Sequence, residues 1–288
     1  MKIRPADYRV GHHEDVDLGK RPTRVEPLYA SKDDYQELLR AQVQRLSALQ
    51  ELHYADHRHA LLLVFQGMDA AGKDSAIKQV MSGVNPQGCQ VFSFKQPSSI
   101  DLDHDFLWRT YACLPRRGHI GIFNRSYYED VLIVRVHPEY LLAQGVKAKD
   151  TDKAFWRGRF HSIAEMERHL DRNGTQVIKF YLHISKKEQR ERLLGRIDDP
   201  RKNWKFSMAD IAERKFWKGY RDAYEECMGA TSTEFAPWYV VPADDKPNAR
   251  LIVSQIVLDA LESLKLKPPK VTDAERAELQ EIRKVLEE

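Results

Sequence analysis

The chain has 288 residues, 42% hydrophobic and 31% charged, which suits one large α/β domain or one core with appendages. A net charge of only +3 excludes a global nucleic-acid signature, so local basic clusters must meet any polyanion. The three cysteines (Cys89, Cys113 and Cys227) lack metal-ligand spacing and read as incidental or buried thiols of a reducing compartment. The N-terminus has no apolar core for a signal peptide, and no stretch is long enough to span a bilayer. The expectation is a cytoplasmic protein that engages neither nucleic acid nor membrane.

Residues 1–30 scatter Pro5, Gly11, Gly19, Pro22 and Pro27 among polar side chains and read as an irregular arm, its His12-His13 pair solvated rather than metal-binding. Ser31 and Asp34 resemble a helix cap, and Tyr35, Leu38, Leu39, Val43, Leu46, Leu49 and Leu52 recur at helical spacing, predicting a long amphipathic helix to near Asp56. The apolar run Leu61–Phe65 predicts a strand, followed by a glycine turn and a helix over 74–82 that Asn85-Pro86-Gln87-Gly88 breaks. A short strand over 90–95, a loop at 96–99 and one helix over 101–114 follow, the last with Phe106, Leu107, Trp108 and Tyr111 as its apolar residues. Pro115-Arg116-Arg117-Gly118 turns into a strand over 119–124. Beyond it the pattern predicts a helix over 150–172 stopped by Asn173-Gly174, a strand over 176–184 and a basic helix over 185–197. A charged loop over 198–207, one helix over 208–228, a short strand over 238–242 and a closing helix over 246–264 come next. Lys267-Pro268-Pro269-Lys270 separates a polar tail helix over 273–288, expected to be peripheral or an oligomer contact. Three segments result: the arm 1–30, a core domain 31–266 with a lid at about 186–214, and the tail 267–288.

Strands alternating with helices predict a parallel sheet with helices on both faces. Ligands of such sheets bind outside the carboxyl ends of the strands, so Gln66-Gly67 and Asn124-Arg125 should meet in one cleft. At the first of these ends, Gly67, Met68, Asp69, Ala70, Ala71, Gly72 and Lys73 form G-x-x-x-x-G-K between strand and helix, the required context of a phosphate-binding loop. Glycines let backbone N–H groups turn toward phosphate oxygens, the helix start adds positive potential, and Lys73 neutralises a terminal phosphate. Where the usual pattern has Ser or Thr after the lysine, this chain has Asp74, with Ser75 one place later. Asp74 reads either as part of metal handling or as a helix-start acid complementing the dipole; Asp69, inside the loop, reads as a metal ligand or as orienting a phosphate acceptor.

The second motif runs from Gly121 to Asp130. Asn124 stands where a phosphate-loop enzyme usually carries a metal-holding acid, and the acids come later as adjacent Glu129 and Asp130, which we assign to metal. Arg125 is the candidate stabiliser of charge on a transferred phosphoryl group. Arg116 and Arg117, in the turn before this strand, are counted among the phosphate-binding cations. The third motif is basic and lid-like: Arg192, Arg196, Lys202 and Lys205 are its phosphate-binding candidates, interleaved with Trp204 and Phe206 around the hinge-like Asp198-Asp199-Pro200. His119, His161 and His183 have no paired partner in sequence and read as structural.

GMDAAGKDS, FNRSYYEDV and RIDDPRKNWKFS, in this order and with NPQG, FLWR and STEFAPWYVVPADDK between them, resemble the polyphosphate kinase 2 family over about residues 35–264. The resemblance implies a three-layer α/β P-loop kinase fold of thymidylate-kinase type, with a helical lid over a polyphosphate channel. It implies Mg²⁺-dependent in-line transfer of the terminal phosphate of inorganic polyphosphate to ADP and AMP, giving ATP and ADP, with Mn²⁺ as the alternative ion and guanine as an alternative base. By the same resemblance Asp69 contacts the attacking nucleotide phosphate, Lys73 binds phosphate, Asn124 and Arg125 position it, Glu129 and Asp130 organise Mg²⁺, and the lid cations hold the chain and nucleotide. The wording GMDAAGKD and NRSYYED looks closer to the branch that accepts both AMP and ADP than to the ADP-preferring branch, which more often reads DRSWYNR. A homo-oligomer of two or four subunits is implied. The rival readings are an ATP-dependent nucleoside monophosphate kinase, which would favour Ser or Thr at position 74, and a non-catalytic nucleotide- or polyphosphate-binding protein.

Overall fold

The computed structural model describes residues 3–287, apart from the side chains of Ala148 and Lys205. Its centre is β1 (Ala60–Gln66), buried along its whole length. A strand covered on both faces must be apolar throughout rather than alternating, which is why the run reads as it does. Around it a five-stranded parallel sheet has the order β2-β3-β1-β4-β5, with β2 at Cys89–Ser93, β3 at Ile120–Asn124, β4 at Thr175–His183 and β5 at Trp238–Pro242. The register sets Phe65 opposite Asn124 on one side and Phe180 on the other, so β3 ends one residue short of β1.

The helices are α1 (Lys32–Asp56), α2 (Lys73–Val80), α3 (Ser99–Leu102), α4 (Trp108–Tyr111), α5 (Glu129–Val136), α6 (Glu139–Leu142), α7 (Lys153–Arg172), α8 (Lys186–Asp198), α9 (Met208–Glu213), α10 (Trp217–Thr231), α11 (Lys246–Ser263) and α12 (Asp273–Glu287). In one layer α1 packs on α11 and α11 on α2; in the other α10 packs on both α5 and α7. This is the three-layer α/β arrangement the sequence predicts. Ser31 caps α1 by accepting from the Asp34 N–H at 3.1 Å. Among the described residues no helix is long and apolar enough to cross a membrane.

Three local expectations need correction. The single helix over 101–114 is two short ones, because the Asp105 carboxylate takes the Leu107 N–H at 2.9 Å and competes with the helical ladder. The single helix over 208–228 breaks at the 3-10 turn Arg214–Phe216; just before the break the Glu213 carboxylate is drawn to Tyr220 Oη (2.7 Å) and His137 Nε2 (3.0 Å). The loop over 198–207 contains a 3-10 helix, Pro200–Lys205, which Asp199 caps. Helices α5 and α6 were not read from the sequence at all.

Among its described residues the arm holds only one 3-10 turn, Pro5–Tyr8, yet it is clamped to the sheet edge. The Val10 N–H donates to Trp238 O at 2.9 Å, Ser232 Oγ donates to Val10 O at 2.8 Å, and the Leu28 N–H donates to Asn248 Oδ1 at 2.9 Å. Val10, Val16 and Leu18 are buried.

Beneath the second motif lies a buried ion pair that sequence reading missed. Lys179 Nζ, on β4, donates to Glu167 Oε2 of α7 at 2.5 Å, both side chains being fully buried. Tyr127 and Tyr128 each donate to Glu167 Oε1 at 2.8 Å, and Lys179 also donates to Thr231 O at 2.8 Å. Burial pushes the Lys179 ammonium below its ordinary value and Glu167 opposes it; burial and the Glu167 charge push both phenols up. Removing one partner of such a pair leaves an uncompensated buried charge. Glu167→Ala should therefore cost about 3–5 kcal/mol in urea denaturation, whereas replacement of an exposed acid such as Glu165 should move the midpoint little.

Candidate active site

The turn after β1 is built by steric exclusion. Gly67 has φ +151°, and a Cβ there would stand 3.0 Å from Leu182 O and 3.1 Å from the Ala71 Cβ. Ala70 and Gly72 both have positive φ, so successive amides change direction as an anion-binding turn requires. The Gly67 N–H donates to Tyr224 Oη at 3.2 Å, tying the loop to α10. Lys73 opens α2 and folds back over the loop, its Nζ donating to Gly67 O at 2.7 Å. Burial lowers its pKa and Arg125 pushes the same way, against Asp69, Glu129 and Asp74. Ser75 Oγ donates to Gly72 O at 3.0 Å. Asp74 is bound across the cleft: Asn124 Nδ2 donates to its Oδ1 at 2.6 Å.

The second motif arrives beside this loop. The Arg125 N–H donates to Phe65 O at 3.0 Å, extending the β1–β3 ladder by one bond, and the residue then takes φ +63°. A left-handed non-glycine residue costs of order 1 kcal/mol or more and persists where surrounding contacts hold it. Here Arg125 Nη2 donates to Asp69 Oδ1 at 3.3 Å and Nη1 lies 3.9 Å from Glu129 Oε2. Burial alone would lower the guanidinium's pKa, but Glu129 and Asp69 outweigh it and the net shift is upward.

Glu129 and Asp130 point in different directions. Successive residues in the first turn of a helix point about 100° apart. Glu129 faces Arg125, whereas Asp130 is buried beside another cavity of about 160 Å³, accepting from Gln144 Nε2 at 2.6 Å with Arg109 Nη2 at 3.9 Å. Burial raises the Asp130 pKa against the Gln144 hydrogen bond and the charges of Arg109 and Arg159. Among the described residues no three His, Cys, Asp or Glu side chains converge as a metal-binding group, so the expected triad of Asp69, Glu129 and Asp130 is not assembled.

The lid cations divide in the same way. Arg192 is consumed as a brace: Nη1 donates to Ala70 O (3.0 Å) and Ala71 O (2.7 Å), Nη2 to Ala243 O and Asp244 O, and Nε to Glu188 Oε1 (2.9 Å). It ties the phosphate loop to the segment after β5, and it lines the cleft as well. Arg196 donates to Asp210 Oδ2 at 3.1 Å and Lys202 pairs with Asp199 at 2.8 Å; both line the cleft. The Lys205 side chain lies outside the described part of the structure. Gln189, unremarked in the sequence, is buried and donates to Asp69 O at 3.0 Å. Arg116 and Arg117 are not brought to the cleft. They precede β3, at the amino ends of the strands, where Arg116 Nε donates to His119 Nε2 at 3.0 Å and Arg117 reaches Asn173 O. Five strand residues, about 15 Å, separate them from the cleft.

Two cavities meet at this point. The larger, about 1100 Å³, runs along the loop past Lys73, Lys78, Lys95, Lys202 and Lys246. The smaller, about 220 Å³, lies between Met68, Glu129, Trp217 and Tyr220. Asp69, Arg125 and Asp210 line both. Chemically the arrangement suits two anionic ligands brought end to end, with a guanidinium where they touch. Lys78, Lys95, Lys246 and Asp210 escaped the sequence reading. Lys78, on the helix that Lys73 opens, was the one with a detectable signal.

The family profile described as polyphosphate kinase 2 (PPK2) matches residues 29–269. The chain is 60% identical over 287 residues, 99% of each chain, to an ADP-polyphosphate phosphotransferase of Rhodopseudomonas palustris. It is 48% identical to an AMP/ADP-polyphosphate phosphotransferase of Meiothermus ruber, over 78% of this chain and 80% of that one. Its fold superposes on the crystal structure of polyphosphate kinase 2 from Arthrobacter aurescens with a TM-score of 0.86, 42% identity and 96% of each chain covered.

If Arg192 is a brace, Arg192→Lys should accelerate amide exchange of residues 70–73 about tenfold or more, since charge-assisted hydrogen bonds of roughly 1.5–3 kcal/mol are lost. Unchanged exchange at those amides would return Arg192 to the ligand-binding cations.

Proposed function

The chain belongs to the polyphosphate kinase 2 family, and we propose that it transfers the terminal phosphate of inorganic polyphosphate to ADP, with AMP as a second acceptor. The reading is carried by the two cavities that meet at Asp69 and Arg125: a long cationic one for a phosphate chain and a smaller one, walled by Trp217 and Tyr220, for the acceptor. The 60%-identical relative is named for ADP as acceptor; AMP is supported by the motif wording and by the Meiothermus ruber relative.

In this reading an oxygen of the acceptor's terminal phosphate attacks the end phosphorus of the chain, and the bridging P–O bond breaks to release polyphosphate one unit shorter. Lys73 and Arg125 offset the charge spread over the transferred group, while Asn124, by holding Asp74, keeps that carboxylate off the incoming chain. Gln189 fixes the backbone at Asp69. Mg²⁺ needs only one or two carboxylates, the rest of its shell being phosphate oxygens and water, and Asp69 with Glu129 fits that requirement. When bound there it would neutralise phosphate charge. Asp130, turned away, serves the neighbouring cavity. The apolar residues Leu279, Ile282, Val285 and Leu286 that α12 exposes are the proposed contact between subunits of a homo-oligomer.

Purified protein with Mg²⁺ and long-chain polyphosphate should form ATP from ADP, and ADP followed by ATP from AMP, as resolved by nucleotide chromatography. Transfer from ATP to AMP with none from polyphosphate would overturn the reading. Arg125→Ala should lower turnover about 10²–10³-fold. Glu129→Gln should raise the Mg²⁺ concentration needed for half-maximal rate, and Asp130→Asn should leave that concentration unchanged.

A further inference from the structure

The arm is more than a clamp, because it roofs a cavity outside the cleft. This open space, about 400 Å³, is bordered by the arm, the end of β4 and the first turns of α10. Arg21, Lys186 and Arg221 line it together with Trp217, Met68 and His183, and no carboxylate does. Glu14 pairs with Arg21 at 2.5 Å and Glu225 stands 3.6 Å from Arg221, but neither acid lines the cavity. Lys186 has no ion pair among the described residues. Of the lining residues, His183 Nδ1 is buried without a hydrogen-bond partner, and Arg221 Nε is the atom that stands 3.6 Å from Glu225 Oε1. The size falls within the range of small-ligand pockets, and an indole beside three cations offers both charge and a stacking face.

We propose that this cavity is a second anion site, taking a phosphate-bearing ligand. The proposal does not rest on the transfer reaction above. Met68 and Trp217 also wall the small cavity that opens on Asp69 and Arg125, so a bound ligand would sit one side chain from the candidate transfer point. Two sources share the chemistry: an inorganic phosphate chain and the phosphates of a nucleotide.

The test is calorimetric titration of the full chain in Mg²⁺-free buffer, with tripolyphosphate in one arm and ADP in the other. Wild type is compared with Arg21→Gln and with Arg221→Gln, each checked by its melting curve. Because the two arginines lie on different elements, misfolding of one variant leaves the other to decide. In both variants one equivalent of ligand should disappear or weaken about tenfold or more, the loss expected when a charge-assisted hydrogen bond goes. An effect in the tripolyphosphate arm alone identifies an inorganic chain, in the ADP arm alone a nucleotide, and in both arms the phosphate group itself. Identical stoichiometry and affinity in wild type and every folded variant, for both ligands, would overturn the proposal. A protein without transferase activity that still loses one equivalent would support it.

Discussion

The parallel pairing of β1 with β3, prolonged by the Arg125 N–H to Phe65 O bond, is the constraint on which the site depends. Because Phe65 and Asn124 are register partners, two motifs some fifty residues apart deliver their first polar side chains to one plane. Asn124 then reaches Asp74 and Arg125 reaches Asp69, so each motif is held by the other across the cleft. A register slip would separate them by several ångströms at a site whose contacts are 2.6–3.3 Å long.

This plane is supported from below by buried polar chemistry that has no part in binding. Tyr127 and Tyr128 belong to the motif in sequence, but their hydroxyls point to Glu167 and so fasten the second motif to α7 and, through Lys179, to β4. Trp238 packs edge-on against Tyr128 at 4.7 Å and closes the same cluster from β5. The motif therefore carries two functions on alternate sides: Asn124, Arg125 and Glu129 face the cleft, while the tyrosines anchor. A charge buried this deeply persists because all its hydrogen-bonding capacity is used, and that completeness also fixes where α5 begins.

Cations near phosphate loops invite a single reading, yet here they divide by what their geometry allows. Arg192 has a planar fork that matches carbonyls on two segments at once, so it staples the loop to β5. Lys78, Lys95 and Lys246 are point charges along the cleft wall and suit a ligand of repeating negative charge and loose geometry. Arg125 alone stands where the two cavities join, oriented by two carboxylates.

The sequence by itself determined the strand–turn–helix at Gly67–Lys73, the parallel sheet, the convergence of two strand ends and the family. Each of these follows from local periodicity, turn chemistry or motif wording, which do not require knowledge of distant neighbours. Tertiary structure alone decided that Glu129 and Asp130 diverge, that Arg192 braces backbone, that Arg116 and Arg117 lie at the amino ends of the strands, and that a polar arm is bound to β5. It also supplied Gln189, Lys246 and the Lys179–Glu167 pair, whose partners come from elements remote in sequence. A side chain's residue type states which bonds it can make; only the packing of distant helices and strands states which partner comes within 3 Å. For that reason the chemistry of this site was legible as an inventory of residues, and its division of labour was not.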